Sequence, residues 1–360
     1  MFPKYLYSIT TLVLLLVLNA CIDPFELTLE DGTEEFLVVD GTFTPENRPH
    51  ELEIYYTNSQ IQRRRRPIEG ASIRLVDEAG VTENYQELGA GKYQLLGQRI
   101  SGQAGRTYHV EIDLPNGEKY QSQPAQMPRK ISGDRTHIVF SLLDEILTTG
   151  TVIQRPSLEV FVDSPLPQDG MDYWLKWEVS TLYSFPEVLC GPIPPPPATC
   201  FVSENINPQQ VILLNGERFS GERITSLKVS EKRLERTDFE FRGRHYFLVN
   251  QQSIPKEAHD YWDKVNRVVN QNGSIFDAPP AGIPGNIFNV NRSEEMVLGY
   301  FEMQHTDSLR AFITAGDLMD VYRFPTNVCP GPRVVSNQFV IECCNCQRIE
   351  NASLIRPEWF

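Results

Sequence analysis

Two alternating runs joined by Asn116-Gly117 constrain this chain more than any other feature in it. Thr107 to Asp113 sets Tyr108, Val110 and Ile112 on one side and polar residues on the other, and Glu118 to Ser122 returns after the turn. Period-two alternation is the pattern of a strand with one buried face. Asn-Gly suits the left-handed backbone of a hairpin turn. The same grammar recurs on both sides. Phe36 to Val39 runs into Asp40-Gly41, Leu52 to Tyr56 forms a second strand, and Ala71 to Val76 alternates Ile73 and Leu75 against Ser72 and Arg74. Turns at Glu78 to Gly80 and Gly89 to Gly91 separate these runs. No helical period interrupts residues 36 to 127. The expectation is a mainly β chain that opens with an Ig-like β-sandwich over 36–128.

A larger β-rich domain, a sandwich or a barrel-like sheet, is expected over 129–360. His137 to Leu142, Leu158 to Asp163, Val211 to Leu214, Ile224 to Val229, Tyr246 to Val249 and Arg310 to Ile313 read as its strands. Asp172 to Val179 puts Tyr173, Leu175, Trp177 and Val179 on one face. Trp174 falls opposite them with Lys176 and Glu178, where it packs on a second layer or serves as a contact surface. The period changes once. Near residues 253–271, Ala258, Trp262, Val265 and Val269 share one side of an amphipathic helix, with Ser253 as cap, Pro255 in the first turn and Asn272-Gly273 as the stop. His259 and Asp260 face away from that stripe and read as solvated. Residues 274 to 303, rich in proline and glycine, read as an extended, turn-rich crossing, with Gly299-Tyr-Phe301 leading into a strand.

The first twenty residues have another logic. Lys4 precedes a short apolar run from Ile9 to Leu18, and Leu-Asn-Ala-Cys ends it at Cys21. The run is shorter than the roughly 20 apolar residues that cross a bilayer and fits an export signal over 1–20. Cysteine at the cut resembles a lipobox, so Cys21 is expected to carry lipid. Residues 21–35, with six acidic side chains from Asp23 to Glu35 and no basic one, form an acidic tether that also resembles a surface-sorting signal.

Six cysteines remain: Cys190, Cys200, Cys329, Cys343, Cys344 and Cys346. An even number in an exported chain points to disulfides. Cys190 with Cys200 is the natural local pair, closing a loop around Pro192 to Pro197. It would hold Pro194 and Pro195 out on a stiff polyproline spur. Cys329 is left to pair with one of the last three. Zinc is the alternative, but only Cys343 to Cys346 has the two-residue spacing, so no metal is expected. Arg63, Arg64, Arg65 and Arg66 form a second candidate contact surface, or a solvated loop.

The net charge is −14 over 360 residues, which argues against nucleic acid as a partner, since its recognition needs a basic surface. No zinc-protease, serine-hydrolase, phosphate-loop or dinucleotide motif is present. The chain is expected not to be an enzyme and to use no cofactor.

The ordered series Cys21 with Asp23-Pro24, Leu37 to Gly41, Gly91-Lys-Tyr93, Gly105 to Tyr108 and Gly117 to Tyr120 resembles a known family. Tyr261-Trp262, Phe276-Asp277, Pro280, Gly285-Asn-Ile287, Gly299-Tyr-Phe301, the terminal cysteines and Arg356 to Trp359 extend the likeness across nearly the whole mature chain. The family is the domain of unknown function 4249 family of outer-membrane lipoproteins. The resemblance implies a lipoprotein that accompanies a TonB-dependent β-barrel receptor of the starch-utilisation type, and it supplies no catalytic residue. The expected location is the outer membrane, anchored by the N-terminal lipid and exposed at the cell surface, with the periplasmic face as the alternative. A glycan- or peptide-binding or adhesion module is the second functional expectation.

Overall fold

A computed structural model describes residues 35–46, 48–57, 65–189, 196–206, 210–219, 221–234, 240–270, 282–323 and 341–360. Cys21, Arg63, Arg64, Cys190, Pro194, Pro195 and Cys329 lie outside the described residues. The described residues of Phe36–Thr57 and Arg65–Phe360 form one compact unit. It is mostly strand, in four sheets, and no closed barrel occurs among the described residues. The larger region is therefore an open sandwich.

The first sandwich is built as its alternation dictates. Leu37–Phe43 pairs with His50–Tyr56, which pairs with Lys92–Leu95. In the facing sheet Thr107–Asp113 lies between Ser72–Asp77 and Lys119–Ser122. Tyr108, Val110 and Ile112 are fully buried beside Leu75 of the same sheet, with Val39, Phe43 and Ile54 across from them. Gly117 takes φ +89° in the hairpin.

The sandwich expected to end at residue 128 does not end there. Ile287–Asn289 pairs antiparallel with Lys119–Ser122. Val297–Leu298 and Phe301–Met303 pair parallel with Leu37–Phe43. Ile287, Val297, Phe301 and Met303 are buried in the first core. The stretch that reads as a crossing is thus the last part of the first sandwich, supplied from the far end of the chain. Its strands are two or three residues long, too short to show alternation.

Two glycines allow this return. A Cβ on Gly299, which has φ +81°, would lie 2.2 Å from the carbonyl oxygen of Val39, and one on Gly285 would lie 1.6 Å from that of Gly299. Asn286 completes the splice. Its amide donates to the carbonyl of Phe301 at 2.8 Å and its side-chain oxygen accepts from the Phe301 N–H at 2.9 Å.

The second sandwich has Arg135–Ile146, Val152–Pro165 and Arg223–Arg233 as one sheet. The other centres on Trp174–Pro186, flanked by His245–Ile254 and Thr199–Asn205, with His305–Ile313 beyond. Leu175, Trp177 and Val179 face its core together with Leu158, Val160 and Val162. The Trp177 indole donates to Gln251 at 3.1 Å.

The helix spans Lys256–Asn270. Ser253 is not its cap. It belongs to the strand His245–Ile254, and its hydroxyl accepts from the Ile131 N–H at 3.1 Å. His259 is 8% exposed rather than solvated, because the first turn is seated against the sheet through Ala258. Val269, expected on the apolar stripe, is 48% exposed.

The expected Cys190–Cys200 pair is replaced by Cys200–Cys346, with a Cα–Cα distance of 5.8 Å. The short turn Cys346–Arg348 docks on the sheet and puts Cys346 against Cys200, in a cluster with Tyr183, Phe185 and Val202. Glu187 fixes it by accepting from the backbone N–H groups of Ala198 and Cys346. Cys343 and Cys344 are also disulfide-bonded. No disulfide to Cys190 thus closes the proline loop at Cys200, and Pro196 and Pro197 are exposed.

Two predictions follow from this packing. Gly299→Ala meets both a left-handed backbone and a carbonyl, so it should lower the urea-unfolding free energy by about 3 kcal/mol or more. Gly80→Ala, with φ +79° but open space around it, should cost only about 1 kcal/mol. Equal losses would remove the steric argument.

The second concerns acid. Burial lowers the pKa of His245 to about 3, helped by the nearby Lys232 charge and opposed by Glu240. Burial likewise lowers His50 to about 4, helped by Arg48. Both folded values lie below the unfolded 6.5. Their stability contribution is therefore complete above pH 6.5 and is lost as pH falls toward 4 and 3. His245→Phe, set among Phe241, Tyr183 and Phe247, should flatten that loss in unfolding curves between pH 7 and 4.

Candidate functional site

A strand that buries one face leaves the other face to present polar residues. In the central sheet that outer face carries ordered rows. Lys176 lies opposite Gln252 and Gln252 opposite Thr306; Glu178 lies opposite Asn250 and Asn250 opposite Ser308. The returning segment brings a second wall. Phe301 and Met303 point into the first core, so Glu302 between them points out, in register with Thr42 of the opening strand. The helix closes one side with Trp262. Together these walls line a cleft of about 640 Å³ that also includes Asp40, Glu46, Arg48, Tyr300 and Gln304.

Lys176 and Glu302 stand at its base, each side chain 3% exposed. The Lys176 ammonium donates to Glu302 at 2.8 Å and lies 3.4 Å from Glu178. It also sits 4.5 Å from the centroid of the Trp262 ring. The Trp262 indole N–H donates to the other Glu302 oxygen. Burial pushes the Lys176 pKa down, but Glu302 and Glu178 more than offset it, so the amine stays charged with a pKa above its ordinary value. Asp40, on the facing wall, is raised above the usual carboxylate range by burial and by the Glu53 and Glu302 charges.

Three acceptors in the cleft have no partner. Gln252 is 3% exposed and Gln304 is 5% exposed. The side-chain oxygen of each is buried without a hydrogen bond, as is one carboxylate oxygen of Glu46. The other Glu46 oxygen accepts from the Thr306 N–H at 3.1 Å. A buried polar group left unpaired costs on the order of 1–3 kcal/mol, so three in one cleft mark it as the candidate site. Among the described residues no group of histidine, cysteine and acidic side chains could hold a metal ion.

The residues proposed from sequence fall elsewhere. Arg65 lies over the Tyr55 ring and pairs with Glu53 at 3.6 Å, and Arg66 lies over Tyr56. Both are exposed on the first sandwich. Trp174 packs with Ile254, Ala258 and Tyr300 beneath the helix and lines a separate cavity of about 620 Å³ with Met127, Ile131 and Lys256. Sequence pattern alone does not single out Lys176, Gln252, Glu302 or Gln304. The one available signal is local: Lys176 lies in the outward register of an alternating strand between two tryptophans.

Removing one partner of a buried pair strands the other charge. Lys176→Met should cost about 3 kcal/mol in urea unfolding. Adding Glu302→Gln should recover at least about 1 kcal/mol, the coupling expected of residues in contact. Strict additivity in this double-mutant cycle would mean that the pair is not coupled.

No curated protein matches the sequence. Among solved structures, the chain is similar to trypsin-activated α2-macroglobulin of Escherichia coli at 10% identity and a TM-score of 0.20, with 63% of this chain and 15% of that one covered. It is also similar to a DUF4785 family protein of Legionella pneumophila at 10% identity and a TM-score of 0.19, covering 60% and 52%. The chain thus spans a small part of the first structure and about half of the second. The model of the domain of unknown function DUF4249 matches residues 22–310, most of the chain, and the protein belongs to that family.

Proposed function

We propose that this chain is an exported lipoprotein, held at the outer membrane by lipid on Cys21 and exposed at the cell surface. There it serves without catalysis, and without a cofactor, as the accessory partner of a TonB-dependent β-barrel. The observation that carries this reading is the Cys200–Cys346 disulfide, which ties the C-terminal tail to the strand Thr199–Asn205 across 146 residues of sequence. Disulfides of this structural kind persist in oxidising compartments. Leu-Asn-Ala-Cys21 supplies the matching export and anchoring signal, and the family likeness supports the barrel. A further support is the hairpin Arg135–Ile146 with Val152–Pro165, which exposes Leu142, Ile146 and Val152 toward solvent. Clustered exposed apolar side chains mark protein contacts.

A second reading, a ligand-binding module, is favoured by the unpaired acceptors in the cleft at Lys176. It is compatible with the first, because an accessory protein can bind what its partner imports.

Cys21→Ala should move the protein from the membrane pellet to the soluble exported fraction, with its disulfide intact on non-reducing gels. Affinity capture of the unmutated chain from gently solubilised membranes should bring down a β-barrel identified by mass. Membrane residence of Cys21→Ala would remove the anchor, and barrel-free capture would remove the accessory role.

A further inference from the structure

We propose that the cleft at Lys176 binds a cationic ligand through an ammonium or guanidinium group, held by Glu46, Gln252 and Gln304. The inference deepens the binding-module reading above and is independent of the lipid anchor and of any barrel.

The argument begins with which polar atoms are spent. The Lys176 ammonium is committed to Glu302 and Glu178, and the Trp262 N–H to Glu302. The Gln252 amide nitrogen donates to Glu178 at 3.0 Å. That bond fixes the amide orientation, since the reverse would set two acceptors face to face. The Gln252 oxygen therefore has nothing to accept from. The Gln304 amide nitrogen reaches the Thr306 hydroxyl at 3.5 Å, and its oxygen, like the second Glu46 oxygen, is buried without a partner. The buried polar atoms that the cleft leaves unpaired are all acceptors, and an occupant that reaches them must donate.

Charge narrows the class. The cleft is lined by four carboxylates, Asp40, Glu46, Glu178 and Glu302, against Arg48 and Lys176. Lys176 is already neutralised at the base, and Arg48 is exposed at its edge. Burial, and then the Glu53 and Glu302 charges, raise the pKa of Asp40 more than Lys176 and Arg65 lower it. A neutral saccharide brings hydroxyls that need donors as well as acceptors, so it fits this remainder less well. A bare metal ion lacks its ligand set among the described residues. A guanidinium or ammonium brings only donors and positive charge. The volume, about 640 Å³, lies within the range of small-molecule sites. It admits a free amine or one basic side chain of a peptide.

The test is calorimetry on the full processed chain in detergent with argininamide, putrescine, the tripeptide Gly-Arg-Gly and maltotriose, at low and high salt. Argininamide or Gly-Arg-Gly should bind, more weakly as salt rises. Binding of both assigns the site to small cations, and binding of the peptide alone assigns it to a partner's side chain; either supports the proposal. Glu46→Gln and Gln304→Met should each weaken binding about tenfold. Gln304→Glu should tighten it severalfold at low salt while lowering the unfolding midpoint, a combination that mere misfolding cannot produce. Circular dichroism melts establish that each variant is folded. Maltotriose binding without cation binding, no heat with any cation, or cation binding unchanged in folded Glu46→Gln and Gln304→Met would overturn the proposal. Loss of the barrel partner in capture experiments would leave this result untouched.

Discussion

Lys176 carries its charge at a position 3% exposed, and it does so because Glu302 arrives from a different part of the chain to meet it. A buried ion pair is weak evidence for stability, since desolvation costs about as much as the attraction returns. Its value lies in register. Lys176 belongs to the central strand of the second sandwich, Glu302 to the returning segment of the first, and Trp262 to the helix, and all three meet at one ammonium–carboxylate contact. Displacing the returning segment by one residue would turn Glu302 into the first core and Phe301 out of it. The pair therefore penalises the wrong register far more than it rewards the correct one.

That contact depends in turn on backbone that only glycine supplies. Gly299 passes within Cβ distance of the Val39 carbonyl, and Gly285 passes Gly299 just as closely. Without them the two short strands could not lie against Leu37–Phe43. The first sandwich then lacks Ile287, Val297, Phe301 and Met303 from its core. Closure is also long in sequence. The Glu46 side chain meets the Thr306 backbone across 260 residues. Such contacts are entropically late to form, so the opening sandwich, although read first, is completed only when the chain beyond residue 300 is in place.

This explains what was legible in the sequence. Alternation predicts the strands that have one wet and one dry face, and Tyr108, Val110 and Ile112 or Leu175, Trp177 and Val179 are buried as their spacing requires. The helix was visible for the same reason. The domain boundary was not, because strands of two or three residues carry no period and Asn286 uses its side chain in place of backbone. Proximity in sequence pairs Cys200 with Cys190, whereas the docked C-terminal turn decides its partner. A helical wheel turns His259 to solvent because it ranks faces and does not say how deeply the first turn is seated. The cleft was the least legible part. Its residues are outward-facing polar side chains that look solvated in any single strand.

The cleft and the cores nevertheless have one origin. Each sheet that buries a row of apolar side chains must present a row of polar ones on its other face. In the Trp174–Pro186 sheet that face, with Lys176, Gln252 and Thr306 in line, meets the outer edge of the first sandwich instead of water. A polar row placed under cover must find partners or remain unpaired. Lys176, Glu302 and the Trp262 indole satisfy one another at the base. Toward the opening the donors run out before the acceptors do, and Gln252, Gln304 and Glu46 keep oxygen atoms with nothing to accept. Packing for stability alone would favour apolar replacements at such positions, since two same-shape apolar groups are nearly neutral where an unpaired amide is costly. Retaining buried amides and carboxylates there is a cost to folding that a bound donor group would offset.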